Sequence, residues 1–396
     1  MAARRNLRGL LSTADVGAVN RGRLLQSLID DGPASRAELG RRVNVPRASI
    51  GVIVSGLLAD GILQEDEPVP PADGIGKPAR PLWFTRTALL SGAVAVSRCC
   101  VEIAVVAAGG DVLARRAVAV DTDRGPDRLD QEVLRAAADV LGPFRDRLCG
   151  IGLSAPALCS PTEREVVACL PAPGLVGTRL PELLEQLFGV PTLLEQDVRA
   201  IALGEKWFGL GRGRRDFAAL QFDVGVGGGI MLDGHLWGAH ARYTMQLGHT
   251  CVDVDGDRCK CGLTGCWETV ASLRWLRRAA AVAGIPGGRT TSPARLHRRA
   301  AAGDAAAAAV LDRYGDQLAI GIGNLVQLLS LDLFVLHGAV VGAGPDFLAA
   351  LRAKVLARVM PELATGVELV YSRLDQDSVL LGAAAVVLTR YLGAAA

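Results

Sequence analysis

Residues 259–268 read Cys259-Lys260-Cys261-Gly262-Leu263-Thr264-Gly265-Cys266-Trp267-Glu268, and His249 precedes them. Three thiols and an imidazole at this spacing are the ligand set of a closed tetrahedral Zn²⁺ site, with Zn–S of about 2.3 Å and Zn–N of about 2.0–2.1 Å. Gly262 and Gly265 give the chain freedom to fold tightly between ligands. Protein ligands at all four positions leave none for a substrate, so the zinc expected here is structural. On spacing alone Cys251 competes with His249 for the fourth place. The chain has 9 cysteines, an odd number, and the basic Met1–Arg8 segment has no apolar core behind it. Reduced thiols or a metal are therefore expected rather than a disulfide framework.

Outward from this segment, the 396 residues are 50% hydrophobic and 21% charged, which excludes disordered, collagen-like and coiled-coil proteins. The longest apolar run, around residues 318–336, is broken by Asn324, Gln327, Ser330 and Asp332. No stretch reaches the ~20 residues of a bilayer span, and a cytoplasmic protein without a membrane partner is expected. The net charge of +2 hides an asymmetry. Residues 1–60 hold nine Arg against five acids, or +4, leaving 34 cationic against 36 acidic residues, or −2, in the remainder. A basic end on a near-neutral body points to a polyanion partner for that end, or else to a solvated Arg-rich helix.

That basic end reads as three short helices over residues 17–63. Val19, Leu24, Leu25, Leu28 and Ile29 fall at helical spacing before Asp31-Gly32-Pro33. Ser35-Arg36-Ala37-Glu38 is a capping-box pattern. The turn Val43-Asn44-Val45-Pro46 leads to a third helix with Ile50, Val54, Leu57 and Leu58 on one face. This is a helix-turn-helix. Residues 67–81, with five prolines and two glycines, separate strand-like Ile62–Glu65 from Leu82–Thr85. A β-hairpin wing tipped by Lys77 and Arg80 is preferred to a plain linker. From Ala93 onward, strand patterns (93–96, 101–107, 112–120, 150–153, 191–194, 217–223, 229–232) alternate with helical ones (129–141, 180–188, 271–283, 305–329, 345–357). Such alternation in two blocks predicts a two-lobed α/β fold with a cleft between the lobes.

Three separated features together resemble the ROK family (repressors, open reading frames, kinases): the winged helix-turn-helix, the cluster Gly225-Val226-Gly227-Gly228-Gly229, and the cysteine segment, which matches the family's C-x-C-G-x-x-G-C-x-E signature. The match runs from about Asn20 to Leu380-Leu381-Gly382-Ala383-Ala384-Ala385. Leu247-Gly248-His249 resembles the family's E-I-G-H segment, which implies His249, with Cys259, Cys261 and Cys266, as the zinc ligands. The resemblance implies an α/β two-lobed actin-like ATPase/sugar-kinase fold preceded by a small winged helix-turn-helix domain. Its expected bounds are 1–88 for the DNA-binding domain, 89–194 for the small lobe (rejoined by 380–396) and 195–379 for the large lobe with the zinc. Within the family the chain is similar to the xylose- and N-acetylglucosamine-type repressors.

The family's kinases carry D-x-G-G-T after the first strand. Here the corresponding stretch is Ala95-Val96-Ser97-Arg98-Cys99, with no acid, no glycine and a cation where a phosphate would lie. The second phosphate loop keeps its glycines but has Val224 at the hydroxyl position, and the adenosine-side G-G is replaced by His337-Gly338. The implied reading is not an enzyme, and the retained glycines read as a turn between two strands. The family's sugar site corresponds to Gln196, Asp197, Gln246, His249 and Glu268, with Gln at two positions where the family has Asn and Glu. Leu170-Pro171-Ala172-Pro173-Gly174 lacks a further family Asn. A carbohydrate effector other than plain glucose is expected, the alternative being an inert remnant pocket. For DNA, Arg47, Ala48 and Ser49 open the recognition helix, where base edges are met. Ser35, Arg36, Lys77 and Arg80 are expected at the backbone, with Arg41 and Arg42 adding to the field, whereas Gly51 and Val52 leave the exposed face short of polar contacts. The expected protein is a homodimeric or homotetrameric regulator, a repressor before an activator, on an inverted-repeat operator in double-stranded DNA. An effector-independent regulator and a sugar kinase are the rivals.

Overall fold

The computed structural model describes residues 13–68, 78–239 and 241–392. Its N-terminal helices follow the apolar spacing: α1 (Thr13–Asp31) buries Leu24, Leu25, Leu28 and Ile29, α2 (Arg36–Val43) buries Leu39 and Val43, and α3 (Arg47–Ala59) buries Ile50, Val54 and Leu57. Leu58, expected on the inward face of α3, is only half-buried. Asn44 caps α2 in the left-handed region at φ 50°, which Asn tolerates. Only half of the expected capping box forms. Ser35 accepts the Glu38 N–H at 3.3 Å, but Glu38 turns to Arg42 at 2.5 Å, an ion pair one turn along. The flanks of the proline-rich segment, β1 (Leu63–Glu65) and β2 (Leu82–Phe84), pair antiparallel with Leu63 opposite Phe84. They form a wing rather than a linker. Lys77, assigned to its tip, lies outside the described residues.

The first half of the body comprises β3 (Leu90–Val96), β4 (Cys100–Val106), β5 (Val112–Ala119), α4 (Pro126–Leu141), β6 (Leu148–Ala155), the hairpin β7 (Leu158–Ser160) and β8 (Glu165–Ala168), α5 (Leu180–Phe188), β9 (Thr192–Gln196) and α6 (Asp197–Phe208). The second comprises β10 (Phe217–Phe222), β11 (Val226–Leu232), β12 (His235–Leu236), α7 (Trp267–Ala271), α8 (Leu273–Val282), α9 (Pro293–Ala301), α10 (Ala305–Leu329), β13 (Leu333–His337), α11 (Pro345–Leu356), β14 (Glu368–Tyr371) and α12 (Ser378–Tyr391). The sheets run β5-β4-β3-β6-β9 and β12-β11-β10-β13-β14. Counted within each half, both have the order 3-2-1-4-5, an antiparallel meander followed by two parallel strands. Two copies of this sheet, each backed by helices, make the two-lobed actin-like fold of sugar kinases.

Three details differ from the sequence pattern. The single helix expected over 271–283 breaks at Ser272, whose extended backbone and hydroxyl cap α8. β9 runs to Gln196, across the expected 194/195 boundary. The glycine cluster is not merely a turn: only Gly225 lies between the strands, while Gly227, Gly228 and Gly229 are within β11. A Cβ on Gly229 would lie 2.5 Å from that of Ala202, so this glycine lets α6 rest directly on the sheet.

The winged helix shares an apolar core with the body. Leu24, Leu28, Leu57 and Phe84 continue into Ile201, Trp207, Phe217 and Leu388 without a break. Polar contacts fix the same junction. Lys206 Nζ lies 3.0 Å from Asp30, Arg212 donates to the Ile29 carbonyl at 2.9 Å, and its guanidinium stands 5.8 Å from the Trp83 ring centre.

Candidate functional site: metal centre, cleft and nucleic-acid face

The cysteine segment and the 3₁₀ turn Leu247–His249 bring His249, Cys259, Cys261 and Cys266 together, with their ligand atoms all within 4.8 Å of one another. Cys261 and Cys266 are 3.6 Å apart at sulfur, and His249 Nδ1 is 3.6 Å from Cys259 Sγ. A tetrahedron with Zn–S of about 2.3 Å has edges of about 3.8 Å, so the donor set fits such an ion. Burial, together with hydrogen bonds to Cys261 and Cys259, pushes the Cys266 thiol up to about 12. Burial also raises the Cys259 thiol, whereas at Cys261 burial is outweighed by hydrogen bonds with the Leu263 backbone and with Cys259 and Cys266, which hold it below its usual value; a shared cation would favour the thiolate at all three. Cys251 pairs with Cys266 through its backbone alone and stands outside the ligand group.

The cleft residues lie at the ends of rigid elements. Gln196 ends β9 and Asp197 begins α6. This corner is locked by a buried pair that the sequence reading missed: Arg199 binds Glu195 at 2.8 Å and the Trp237 carbonyl at 2.7 Å, and Glu195 accepts the Gln196 N–H at 2.9 Å. The Glu-x-x-x-Arg spacing was the available signal. Burial raises Asp197 to about 7, against the lowering effect of the Val198 N–H at 2.7 Å. The segment bearing Gln246 and His249 is tied to the other lobe through Thr244, which exchanges hydrogen bonds with the Cys159 backbone at 3.0 and 3.2 Å. Gln196 Oε1 and Gln246 Nε2 are buried with no hydrogen-bond partner among the described residues. An orphan acceptor and an orphan donor in one predicted pocket suit a polyhydroxylated ligand.

Glu268 is not free. It accepts the Val226 N–H at 3.1 Å and pairs with Lys260 at 3.0 Å, bracing the metal loop against the β10–β11 turn. Lys260, the residue between two metal ligands, was missed because the family signature places no chemistry there. Burial pushes Cys169 up to about 11, with Asp197 adding to the shift and Lys260 opposing it.

On the side that carries His337, a cavity of about 670 Å³ is lined by Gln221, Asp223, His337, Ser372 and Asp377 among others, with no Lys or Arg among the described residues; Asp377 pairs with Arg115 at 2.5 Å. Beneath it His337 Nε2 lies 3.1 Å from the fully buried Glu205, which also accepts the Ser372 hydroxyl and, at 2.7 Å, the Leu210 N–H. Arg98, in the first phosphate-loop position, is exposed and 3.5 Å from Asp123.

On the face expected to meet DNA, Arg47, Ala48 and Ser49 are all exposed at the first turn of α3. Val52 on the same face is 76% exposed. Ser35 is occupied as the α2 cap. Arg36 and Arg80 both point to Glu65 of the wing, at 3.0 and 3.7 Å, so each is partly neutralised and orders the wing against α2.

A two-lobed sugar-kinase-type body with a winged helix docked on it and a His/Cys₃ cluster able to hold a metal ion defines the class. The chain belongs to the ROK family, whose pattern matches residues 92–390. It is 33% identical over 225 residues to Glucokinase of Thermotoga maritima, covering 54% of this chain and 71% of that one. It is 27% identical over 398 residues to the DNA-binding transcriptional repressor Mlc of Escherichia coli, covering 97% of this chain and 95% of that one. A solved ROK family transcriptional regulator, homologous to E. coli Mlc, superposes with a TM-score of 0.78 at 26% identity, covering 96% of this chain and 97% of that one. The likeness to the glucokinase covers about half of this chain, whereas the likeness to Mlc and to its solved homologue covers nearly all of it, the winged helix included. Among the described residues no helix is long and apolar enough to cross a membrane.

Proposed function

We propose that this chain is a DNA-binding transcriptional regulator of carbohydrate-related genes, acting as a repressor, whose ROK body senses a sugar or sugar derivative and has no kinase activity. The observation that carries it is the exposed Arg47-Ala48-Ser49 turn on a winged helix that shares its core with the body. The helix start meets base edges, with Arg47 suited to guanine and Ser49 to base or phosphate. Ser35, Arg36 and Arg80 belong to the backbone-contacting rim, and Lys77 remains an expectation of the sequence outside the described residues. The likeness to Mlc along nearly the whole chain supports the same reading.

Against phosphoryl transfer stand a cavity with no cation in its lining among the described residues, Asp377 being met only by Arg115 from outside it, and a first loop without acid or glycine; a triphosphate needs cations and open backbone N–H groups. Asp197 then acts not as a base but as a hydrogen-bond acceptor for a sugar hydroxyl, alongside Gln196, Gln246, His249 and Glu268. A structural zinc on His249, Cys259, Cys261 and Cys266 would fix two of these five. One element joins the two functions. α6 begins at Asp197 in the cleft and ends at Lys206 and Phe208, with Lys206 on Asp30 of the winged helix. A ligand that shifts the first turn of α6 moves the helix that carries the DNA-binding domain. Assembly into a symmetric oligomer matches an inverted-repeat operator.

Footprinting on the upstream region of the chain's own gene tests this. The expected result is a protected inverted repeat that weakens steeply as salt rises. No protection at any salt concentration, or ADP release with ATP and a hexose panel, would overturn it.

A further inference from the structure

The antiparallel bridge between Cys251 and Cys266 is of the narrow kind. The Val252 N–H donates to the Gly265 carbonyl at 2.8 Å and the Trp267 N–H to the Thr250 carbonyl at 2.9 Å, so hydrogen bonds flank the two cysteines and none joins them. Residues opposed in such a pair stand about 4.5 Å apart at Cα, with both side chains on one face. A disulfide spans about 4.4–6.8 Å between Cα atoms, so the backbone already holds Cys251 and Cys266 at disulfide spacing. Gly265 keeps the approach open, since a Cβ there would lie 3.3 Å from the Cys251 sulfur. The two thiols differ in access and in ligation. Cys251 is exposed and stands outside the His249, Cys259, Cys261 and Cys266 group, whereas Cys266 is 1% exposed and belongs to it. Cys261 and Cys266 are closer at sulfur, 3.6 Å, but that is the spacing of two ligands of one ion.

We infer that Cys251 is an oxidant-accessible modification site, and that oxidation by a peroxide joins it to Cys266 and releases the metal. The inference rests on the zinc reading above and adds to it a residue that is not a ligand. Reactivity toward a peroxide follows exposure of the sulfur, which selects Cys251 over the buried, ligating Cys266. With hydrogen peroxide the O–O bond breaks, one oxygen forms an S–O bond on Cys251, and the other leaves as water. The Cys266 thiolate then attacks the Cys251 sulfur. The S–S bond forms, the S–O bond breaks, and the departing hydroxide takes a proton from solvent to give a second water. The two sulfurs lose two electrons and the peroxide gains them. His249, Cys259 and Cys261 remain, one donor short of a closed tetrahedral set.

The test treats full-length protein, reduced and then freed of reductant, with hydrogen peroxide in the presence of a chromogenic zinc chelator, followed by peptide mapping without reduction. The parent should release its zinc and yield one linked pair of peptides holding Cys251 and Cys266. A dithiol with added zinc should restore the starting state. Cys251→Ser should release zinc about tenfold more slowly, or slower still, at the same peroxide concentration, because the accessible thiol is gone. Its zinc content before oxidation should equal that of the parent. Release as fast in Cys251→Ser as in the parent, or linked peptides that join Cys261 to Cys266 and leave Cys251 free, overturns the inference and leaves the zinc reading intact. A reduced parent that carries no zinc overturns the zinc reading and, with it, the release.

Discussion

At Asp197 two opposing effects meet. The first turn of α6 and the Val198 N–H favour the carboxylate, while burial disfavours it and wins, raising the group from 3.8 to about 7. Below pH 4 folded and unfolded chains both hold the proton. Between about 4 and 7 the unfolded chain has released it and the folded chain has not, so this group makes stability fall as pH rises, with the penalty constant above 7. Asp197→Asn should therefore match the parent near pH 4 and exceed it at pH 8 by up to a few kcal/mol, at about 1.4 kcal/mol per unit, as read by urea unfolding at both pH values. A variant that gains nothing between them would show that Asp197 is not held protonated. The carboxylate is the better acceptor for a hydroxyl, so effector affinity should rise between pH 6 and pH 8 by up to about tenfold. At this scale the sequence was informative where a residue type is rare in its setting, as with the cysteines and Asp197. It was silent where a common residue acquires its role from a fold-dependent partner. Lys260 at Glu268 and Lys206 at Asp30 look like ordinary surface lysines until the chain is folded.

Among the elements, the metal loop makes the most direct claim. Its four ligands lie on two short segments that have little apolar core of their own, so the ion is expected to hold them. Purified protein should carry one zinc per chain. Cys261→Ser should lose the metal and several degrees of melting temperature, whereas Cys251→Ser should keep both, as measured by elemental analysis and scanning calorimetry. Zinc retained in Cys261→Ser and lost in Cys251→Ser would reassign the ligand set. Strands and long helices with clean periodicity were readable in advance, but α6 was not. Its residues from Val198 to Trp207 are buried all round, charged Arg199, Glu205 and Lys206 included. A helix with no polar face has no stripe to detect, and buried charges interrupt the apolar run that would otherwise have marked it. The break at Ser272 was equally hidden, because a single capping hydroxyl inside an apolar pattern decides it.

Across the whole molecule the two repeated sheets meet at α6 and α12, which cross in backbone contact: a Cβ on Gly382 would lie 2.5 Å from the Ala200 carbonyl oxygen. That close packing leaves α6 little freedom to move alone, so a change at its N-terminus is carried to Lys206. Coupling between sites in such systems is about 1–3 kcal/mol. With hexose 6-phosphate as probe, operator affinity of the parent should therefore fall by about 5- to 150-fold. In Lys206→Met the same ligand should change it by less than twofold, with ligand affinity retained. An undiminished response would move the coupling to another element. The two-lobed architecture and the winged helix were legible from the chain, because family signatures and patterning agree there. The shared core between them was not, since it is assembled from residues as far apart in the chain as Leu24 and Leu388.

The most direct test of a DNA-reading winged helix on a non-catalytic body is the affinity of the full-length protein for a duplex bearing the protected repeat from its own upstream region, measured by fluorescence anisotropy at fixed salt. Replacing Arg47 and Ser49 by Ala should weaken this binding by about 10- to 100-fold, the 1–3 kcal/mol of a lost base contact, while affinity for a scrambled duplex changes little. Unchanged affinity for the repeat in that variant would contradict the account.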